Sequence, residues 1–356
     1  MAKKLMKGNE AIGEAAIQAG CLNYFCYPIT PQTEVAEYLA RRMPEVGGVF
    51  VQAESEVAAT NMLFGASATG VRCFTSSSSP GISLMAESIS YIAGAQLPVV
   101  YVNIVRGGPG LGGILPAQSD YFQATKGGGH GDYRLLVLAP STVQEAVDFT
   151  ILAFELADKY RNPVMVLGDG MIGQMMEPVE FPNGPPSPPP AKPWATTGMK
   201  HRPQSLIRSL FLNPDELEAN NLQLRAKYDA MESDEVRFES YHADEELDVL
   251  LVAYGTMARI AKTSVDRLRE QGRRVGMLRP ISLFPFPKRP VKEATRRARA
   301  TLVIELSMGQ MVEDVQWAAA EDHPVHFFGK VGGNIPTPED IVGEIEKVLD
   351  KVTSTP

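Results

Sequence analysis

The sequence predicts an α/β protein built on two mostly parallel sheets, each covered by helices. Three observations carry that reading. Between residues 8 and 170, amphipathic helical stretches alternate with short apolar runs that end in Gly, Pro, Ser or Thr, the pattern of repeated βα units. A second alternation of the same kind begins at Leu247. Between them, Phe181 to Trp194 reads FPNGPPSPPPAKPW, seven prolines in fourteen residues, which continues neither a helix nor a central strand and forms a stiff connector. The 356 residues also exceed twice a typical domain length of about 150. The expected organisation is a sheet domain over residues 1–180, a Pro-rich connector and helical arm over 181–245, and a smaller α/β domain over 246–356.

Taken in order, the first-domain strands are Leu22 to Cys26, Val49 to Gln52, Val71 to Thr75, Val99 to Val105, Arg134 to Leu138 and Val164 to Leu167, nearly uniform in apolarity as strands covered on both faces must be. The helix after the first strand is announced by Thr30 as N-cap with Pro31 at its first position, and Val35, Leu39 and Met43 form its buried stripe. Ser55 caps the next helix. Thr142 to Tyr160 is a long amphipathic helix with Val143, Val147, Ile151 and Phe154 on one face. Residues 205–240 are charged and weakly periodic, with a helix over Asp215 to Ala226. The second unit reads as strand Leu247 to Ala253, a Gly255-Thr256 turn, a helix to about Gln271, strand Arg274 to Leu278, a helix near Pro290 to Ala298, and strand Thr301 to Leu306. It closes with helix Gln310 to Ala320, strand Val325 to Phe328 and helix Pro338 to Leu349, where Thr337 is the N-cap and Asp340 lies in the first turn.

Composition bounds the function. A net charge of -8, from 34 basic and 42 acidic residues, speaks against a phosphate-backbone grip, so no nucleic-acid partner is expected. Cys21, Cys26 and Cys73 are an odd set without C-x-x-C spacing, too few for a disulfide framework, an iron–sulfur cluster or a zinc site within this chain. No metal ligand set is expected. The longest strongly apolar stretch, Leu97 to Val105, is less than half of the roughly 20 residues that span a bilayer, and no export signal is evident at the N-terminus. The expected setting is cytoplasmic, without a membrane partner.

In parallel α/β folds, ligands sit beyond the carboxyl ends of the strands. After the first strand, Tyr27-Pro28-Ile29-Thr30-Pro31 is a rigid turn in which the Thr30 hydroxyl either caps the helix or helps to hold an anion. After the second, Glu54 and Glu56 either complement the helix dipole or, for Glu56 with Val57, Ala58 and Ala59 behind it, provide a sequestered carboxyl able to share a proton. After the third, Ser76-Ser77-Ser78-Ser79-Pro80-Gly81 lacks the G-x-S-x-G elbow of a serine nucleophile and reads as a turn or ligand-cradling loop. After the fourth, Gly108, Gly110 and Gly113 satisfy G-x-G-x-x-G, but Pro116 prevents a helix from opening there, so no dinucleotide site results. Arg106 at that strand end either makes a surface salt bridge or takes a carboxylate bidentately. His130 and Asp132, in the Gly-rich loop Lys126 to Asp132, supply a proton donor or simply polar lining. Gly168-Asp169-Gly170 has the start of the Mg-diphosphate motif of thiamine enzymes, which needs an Asn roughly 25 to 30 residues on. That window holds none.

These motifs, YPITP at 27–31, QAESEVAA at 52–59, TSSSSPGISLM at 75–85, RGGPG at 106–110 and GGGHGDYR at 127–134, together resemble the α-type subunit of 2-oxoacid:ferredoxin oxidoreductases. The resemblance is nearest to the branched-chain (3-methyl-2-oxobutanoate, or 2-oxoisovalerate) type, and continues through YGTMARIA at 254–261, LFPFP at 283–287 and IELSMGQM at 304–311. It implies a thiamine diphosphate enzyme in which this subunit supplies the pyrimidine-side domain, a parallel-sheet domain of the thiamine-diphosphate-binding type, followed by a smaller transketolase C-terminal-like α/β domain. It further implies that the thiamine diphosphate is shared with a β subunit carrying the diphosphate and Mg²⁺. Further γ and δ subunits carry iron–sulfur clusters, and ferredoxin and coenzyme A act as partners of the 2-oxoacid. Carried over by position, Glu56 is the catalytic carboxylate on the aminopyrimidine and Thr30 and Arg106 hold the substrate carboxylate. Tyr27, Pro28, Ser78, His130 and Asp132 join Glu56 as cofactor-binding residues.

Three other readings stay open, one of them a free-standing nucleotide-binding protein, which weak binding of dinucleotides by the isolated chain dismisses. The substrate is 2-oxoglutarate if a second cation faces the site, and the chain is a non-catalytic scaffold subunit if Glu56 has no effect on turnover.

Overall fold

The computed structural model describes residues 3–182, 184 and 188–354; residues 183 and 185–187 of the expected connector lie outside the described residues. In the first half, β1 (Lys4–Lys7) leads into α1 (Gly8–Gln18), β2 (Asn23–Cys26), α2 (Thr33–Glu45), β3 (Val49–Gln52), α3 (Glu56–Ala68), β4 (Phe74–Ser77) and α4 (Pro80–Gly94). Then come β5 (Val100–Val105), α5 (Tyr121–Thr125), β6 (Leu136–Leu138), α6 (Val143–Tyr160), β7 (Val164–Asp169), α7 (Gly170–Gln174) and β8 (Met176–Val179). The second half contains α8 (Pro214–Asp234), β9 (Phe238–Tyr241), β10 (Leu247–Val252), α9 (Gly255–Glu270), β11 (Val275–Pro280) and β12 (Ser282–Phe284). It ends with α10 (Lys288–Thr295), β13 (Ala298–Glu305), α11 (Met311–Ala318), β14 (Val325–Gly329) and α12 (Pro338–Ser354).

The fold is α/β, with parallel pairing dominant. One sheet has the order β12-β6-β7-β5-β4-β2-β3 and the other β14-β13-β10-β11-β9, and β1 pairs antiparallel with β8. All six residues of β5 are buried between β4 and β7, in register Val100↔Val164 through Val105↔Asp169. Successive side chains face opposite ways, so Val102 and Ile104 pack toward Ile12, Leu39 and Phe154 while Tyr101 and Val105 pack toward Leu63, Met85 and Ile89. Each fully buried aliphatic side chain is worth about 1.5–3 kcal/mol, which makes this strand the anchor of the first unit. Among the described residues, no helix is long and apolar enough to cross a membrane.

Several expectations are corrected. Strand β4 begins at Phe74 rather than Val71 and takes in Ser76 and Ser77, because the Ser76 hydroxyl is satisfied inside the protein by Tyr24 and Gln32. Thr30 is not an N-cap: the chain turns at Thr30–Pro31, a cis peptide, and α2 starts at Thr33 with Gln32 as its cap residue. The helix of the arm runs over 21 residues, through Asp234, because Leu224, Tyr228 and Met231 pack into the first unit's core. Strand β12 lies late in the chain yet joins β6 antiparallel in the first sheet. The two halves are fastened there by Arg279, buried to 1% exposure and bonded to Glu145 at 2.6 Å and Glu239 at 3.0 Å.

Candidate active site

From β2 the chain steps outward to β3, then crosses back to place β4 on the other side of β2 and continues the opposite way through β5. The reversal opens a crevice beyond the carboxyl ends of β2 and β4, where open α/β sheets bind ligands. Glu56, Ser77 to Ser79, Arg106 and the residues after Cys26 all sit at the strand ends around it.

Glu56 opens α3, whose start is fixed by Ser55 accepting the Ala58 N–H at 3.2 Å. Its side chain is almost fully enclosed, at 6% residue exposure, and makes no hydrogen bond or ion pair with any described residue. The enclosure comes from α4. A Cβ at Gly81 would stand 2.8 Å from Glu56 Oε1 and 2.1 Å from Ser77 Oγ, so only glycine lets the first turn of α4 approach this closely. The Ser77 hydroxyl meets the same face of Gly81 as the carboxyl, and it and the hydroxyls of Thr75 and Ser78 on the same stretch of chain are buried without partners among the described residues. Buried polar groups are normally hydrogen-bonded, so a cluster of orphans is a place where water or a ligand supplies the missing bonds.

Arg106 is 7% exposed. Its Nη1 donates to the Thr30 carbonyl at 2.9 Å and Nη2 to the Leu111 carbonyl at 3.2 Å, while Nε is buried with no partner among the described residues. No described carboxylate lies within ion-pair distance of it, unlike Arg279. A buried cation without a counter-ion is costly, and an anionic ligand relieves that cost. Thr30 is thus brought to Arg106, through its carbonyl, with the residue itself exposed. Tyr27 and Pro28 are also exposed, on the rim. Ser79, at φ 21°, is held by its N–H on Asn103 Oδ1 at 3.1 Å and by its hydroxyl against the Arg106 backbone. Asn103 in turn donates to Asp120 at 2.9 Å, and burial raises the Asp120 carboxyl above its usual range despite the hydrogen bonds.

Other predicted residues lie elsewhere. His130 stands edge-on to Tyr91 with ring centroids 5.7 Å apart, and its carbonyl accepts from Ser90 Oγ at 2.6 Å. Tyr91 is ten residues beyond Gly81 on α4, about 15 Å along the helix, so His130 and its exposed neighbour Asp132 are not joined to Glu56. They line a separate cleft against α8 with Leu217 and Asn221. Asp169 of the Gly-Asp-Gly strand end is occupied as the cap of α7, where Oδ1 accepts from Met171 N at 2.9 Å and Ile172 N at 3.2 Å. Among the described residues, no group of three His, Cys, Asp or Glu gathers to hold a metal.

Sequence reading missed Asn103, Asp120 and Gln32. Gln32 is fully buried, accepts from Ser76 Oγ at 2.5 Å and leaves Nε2 without a partner among the described residues. No local pattern singles it out, because Ser76 lies 44 residues away.

Comparison with known proteins adds independent findings. Residues 14–242 match the family described as pyruvate flavodoxin/ferredoxin oxidoreductase, thiamine diphosphate-binding, and residues 247–341 match pyruvate:ferredoxin oxidoreductase core domain II. The chain is 48% identical over 348 residues to ketoisovalerate oxidoreductase subunit VorB of Methanothermobacter marburgensis, covering 98% of each chain. To 2-oxoglutarate synthase subunit KorA of Methanothermobacter thermautotrophicus it is 37% identical, over 96% of this chain and 98% of that one. Among solved structures it resembles 2-oxoglutarate:ferredoxin oxidoreductase from Magnetococcus marinus, with a TM-score of 0.86 and 28% identity. That alignment covers 98% of this chain, which spans 65% of the length of the other. A split-gene transketolase, at TM-score 0.60 and 17% identity over 97% of this chain and 98% of that one, shares the fold.

Proposed function

The chain belongs to the pyruvate flavodoxin/ferredoxin oxidoreductase family, the 2-oxoacid:ferredoxin oxidoreductases, and on that premise we propose that it is the pyrimidine-side subunit of an enzyme oxidatively decarboxylating 3-methyl-2-oxobutanoate to its acyl-CoA with reduction of ferredoxin. The observation that carries the reading is Glu56, an enclosed carboxyl with no partner among the described residues, close to the orphaned hydroxyl of Ser77. Those residues fit the aminopyrimidine half of thiamine diphosphate. When bound, that cofactor supplies the carbon nucleophile and the electron sink for loss of carbon dioxide. Glu56 holds or shares a proton at its carboxylate oxygen, where low water access strengthens the bond to a ring nitrogen. Arg106, assisted by Thr30, neutralises and orients the substrate carboxylate.

The window after Gly168-Asp169-Gly170 lacks the Asn that would complete a diphosphate and Mg²⁺ site, and Asp169 Oδ1 caps α7; we assign the diphosphate and Mg²⁺ to a β subunit, and the iron–sulfur clusters to γ and δ subunits. Leu111, Ile114, Leu115, Met308 and Val331 are exposed beyond the strand ends of the two sheets, and an apolar rim of this kind suits a partner chain that completes the pocket. The branched-chain substrate is supported by the flap after Arg106, residues 107–118, which contributes Leu111, Ile114 and Leu115 and no further cation for a second carboxylate. The test is coexpression with the partner subunits and viologen reduction with coenzyme A. The reading expects 3-methyl-2-oxobutanoate to exceed 2-oxoglutarate in kcat/KM, and a preference for the dicarboxylate overturns it.

A further inference from the structure

The flap that carries Arg106 is closed on itself. Arg106 and Pro116 form an antiparallel bridge, Gly107 N donates to Leu115 O at 3.0 Å, and Gly113 N donates to Gly107 O at 2.8 Å. The guanidinium is tied to the flap's tip through the Leu111 carbonyl. Where the flap leaves the crevice, two residues past Pro116, stands Gln118, at 3% exposure.

Every polar group of Gln118 is committed to the second sheet. Its backbone N–H donates to Leu306 O at 2.8 Å, and the Leu306 N–H donates to Gln118 Oε1 at 3.0 Å. Its Nε2 donates to Tyr254 O at 2.9 Å, and the Tyr254 hydroxyl donates to the Gln118 carbonyl at 3.1 Å. Leu306 follows β13 and Tyr254 follows β10, so one side chain spans the ends of two neighbouring strands of the second sheet. The task needs a primary amide, which donates to a carbonyl and accepts from an N–H at once. The opposing surface is shaped for it: Gly255 takes φ +54°, and a Cβ there would stand 3.1 Å from Gln118 Nε2. The flap's flank is closed in too, since a Cβ at Gly333 would lie 2.3 Å from Leu115 Cβ.

We propose that Gln118 is a positioning residue through which the second sheet sets where Arg106 presents its guanidinium to the 2-oxoacid carboxylate. The inference rests on the reading of Arg106 given above; Gln118 itself touches no substrate. It gives the second unit a part in substrate binding that Arg106 alone would not reveal.

The test uses the assembled complex carrying Gln118→Leu, which removes both amide bonds, and Gln118→Glu, which keeps the acceptor for Leu306 and loses the donor to Tyr254. Gln118→Leu is expected to raise the KM for the 2-oxoacid about tenfold, the equivalent of one buried hydrogen bond, with at least as large a rise in Gln118→Glu, whose buried carboxylate would face the Tyr254 carbonyl. The kcat at saturating substrate falls less, and the affinity for thiamine diphosphate stays that of the wild type, because Glu56, Ser77 and Ser78 sit on other loops. Hydrogen exchange at Gly107 and Gly113 accelerates relative to the amides of β10, a readout independent of turnover. An unchanged KM overturns the proposal, as does a joint change in KM, cofactor affinity and melting temperature, which marks general loosening. If the wild-type complex turns over no 2-oxoacid, the functional reading fails by itself, and unaltered exchange at Gly107 and Gly113 in Gln118→Leu separately overturns the fastening.

Discussion

Gly81→Ala is the mildest change that bears on Glu56 without replacing it. The added methyl would stand 2.1 Å from Ser77 Oγ and 2.8 Å from Glu56 Oε1, where ordinary contact begins at 3.4 Å. Rotation of Ser77 about χ1 relieves the first overlap. The second is relieved only if the carboxylate or the first turn of α4 moves by roughly 0.6 Å. Overpacking costs about 1–3 kcal/mol and the gain in helix propensity from Gly to Ala returns about 1 kcal/mol, so the net loss of stability stays within about 2 kcal/mol. Catalysis is more sensitive, since a 1 Å misplacement can lower a rate about a hundredfold. The expected result is a kcat reduced roughly ten- to a hundredfold in viologen reduction by the assembled complex, with KM for the 2-oxoacid nearly unchanged. Wild-type kcat in a correctly folded Gly81→Ala complex would refute the reasoning.

Other perturbations separate the remaining parts of the account. Arg106→Lys keeps the charge but loses the planar fork, and is expected to raise the KM for the 2-oxoacid about tenfold or more; an unchanged KM in steady-state kinetics contradicts its role. Asp169→Asn retains the acceptor for Met171 and Ile172, so stability is expected to change by less than about 1 kcal/mol and activity to persist, whereas loss of Mg²⁺-dependent turnover would show that this carboxylate ligates the metal after all. Lys227, pushed down to about 7 by burial and by nearby Arg161, lies below its ordinary value of 10.5. Between those values the unfolded chain binds the extra proton, so stability rises with pH across that window. Lys227→Met is therefore expected to melt higher at pH 7 and to show a flatter rise toward pH 10 in thermal scans, and an unaltered slope counts against it.

Much of the frame was legible because it is local. The Val35, Leu39 and Met43 stripe is fully buried, Thr142 caps α6 by accepting the Glu145 N–H at 3.1 Å, and Thr337 with Asp340 exchanges hydrogen bonds at the start of α12. The enclosure of Glu56 is only partly legible from its sequence neighbours. Its neighbour Val57 is 43% exposed and does not cover the carboxyl, whereas α4 approaches it at Gly81. Strand β12 is three residues long, too short for any periodicity, and is defined by its partner β6. Gln118 and Gln32 are ordinary polar residues in sequence, and their roles arise from partners as far as 188 and 44 residues away. His130 was expected among the cofactor-binding residues from its Gly-rich loop, yet the fold sets it against Ser90 and Tyr91 of α4, contacts that no local pattern announces.

The most direct test of the central claim is the kcat of the assembled complex carrying Glu56→Gln, measured with thiamine diphosphate bound. If an enclosed carboxyl shares a proton with the cofactor's pyrimidine, kcat falls at least about a hundredfold while the complex stays intact. Full-speed turnover by that complex would contradict the claim and leave the chain a scaffold for chemistry performed elsewhere.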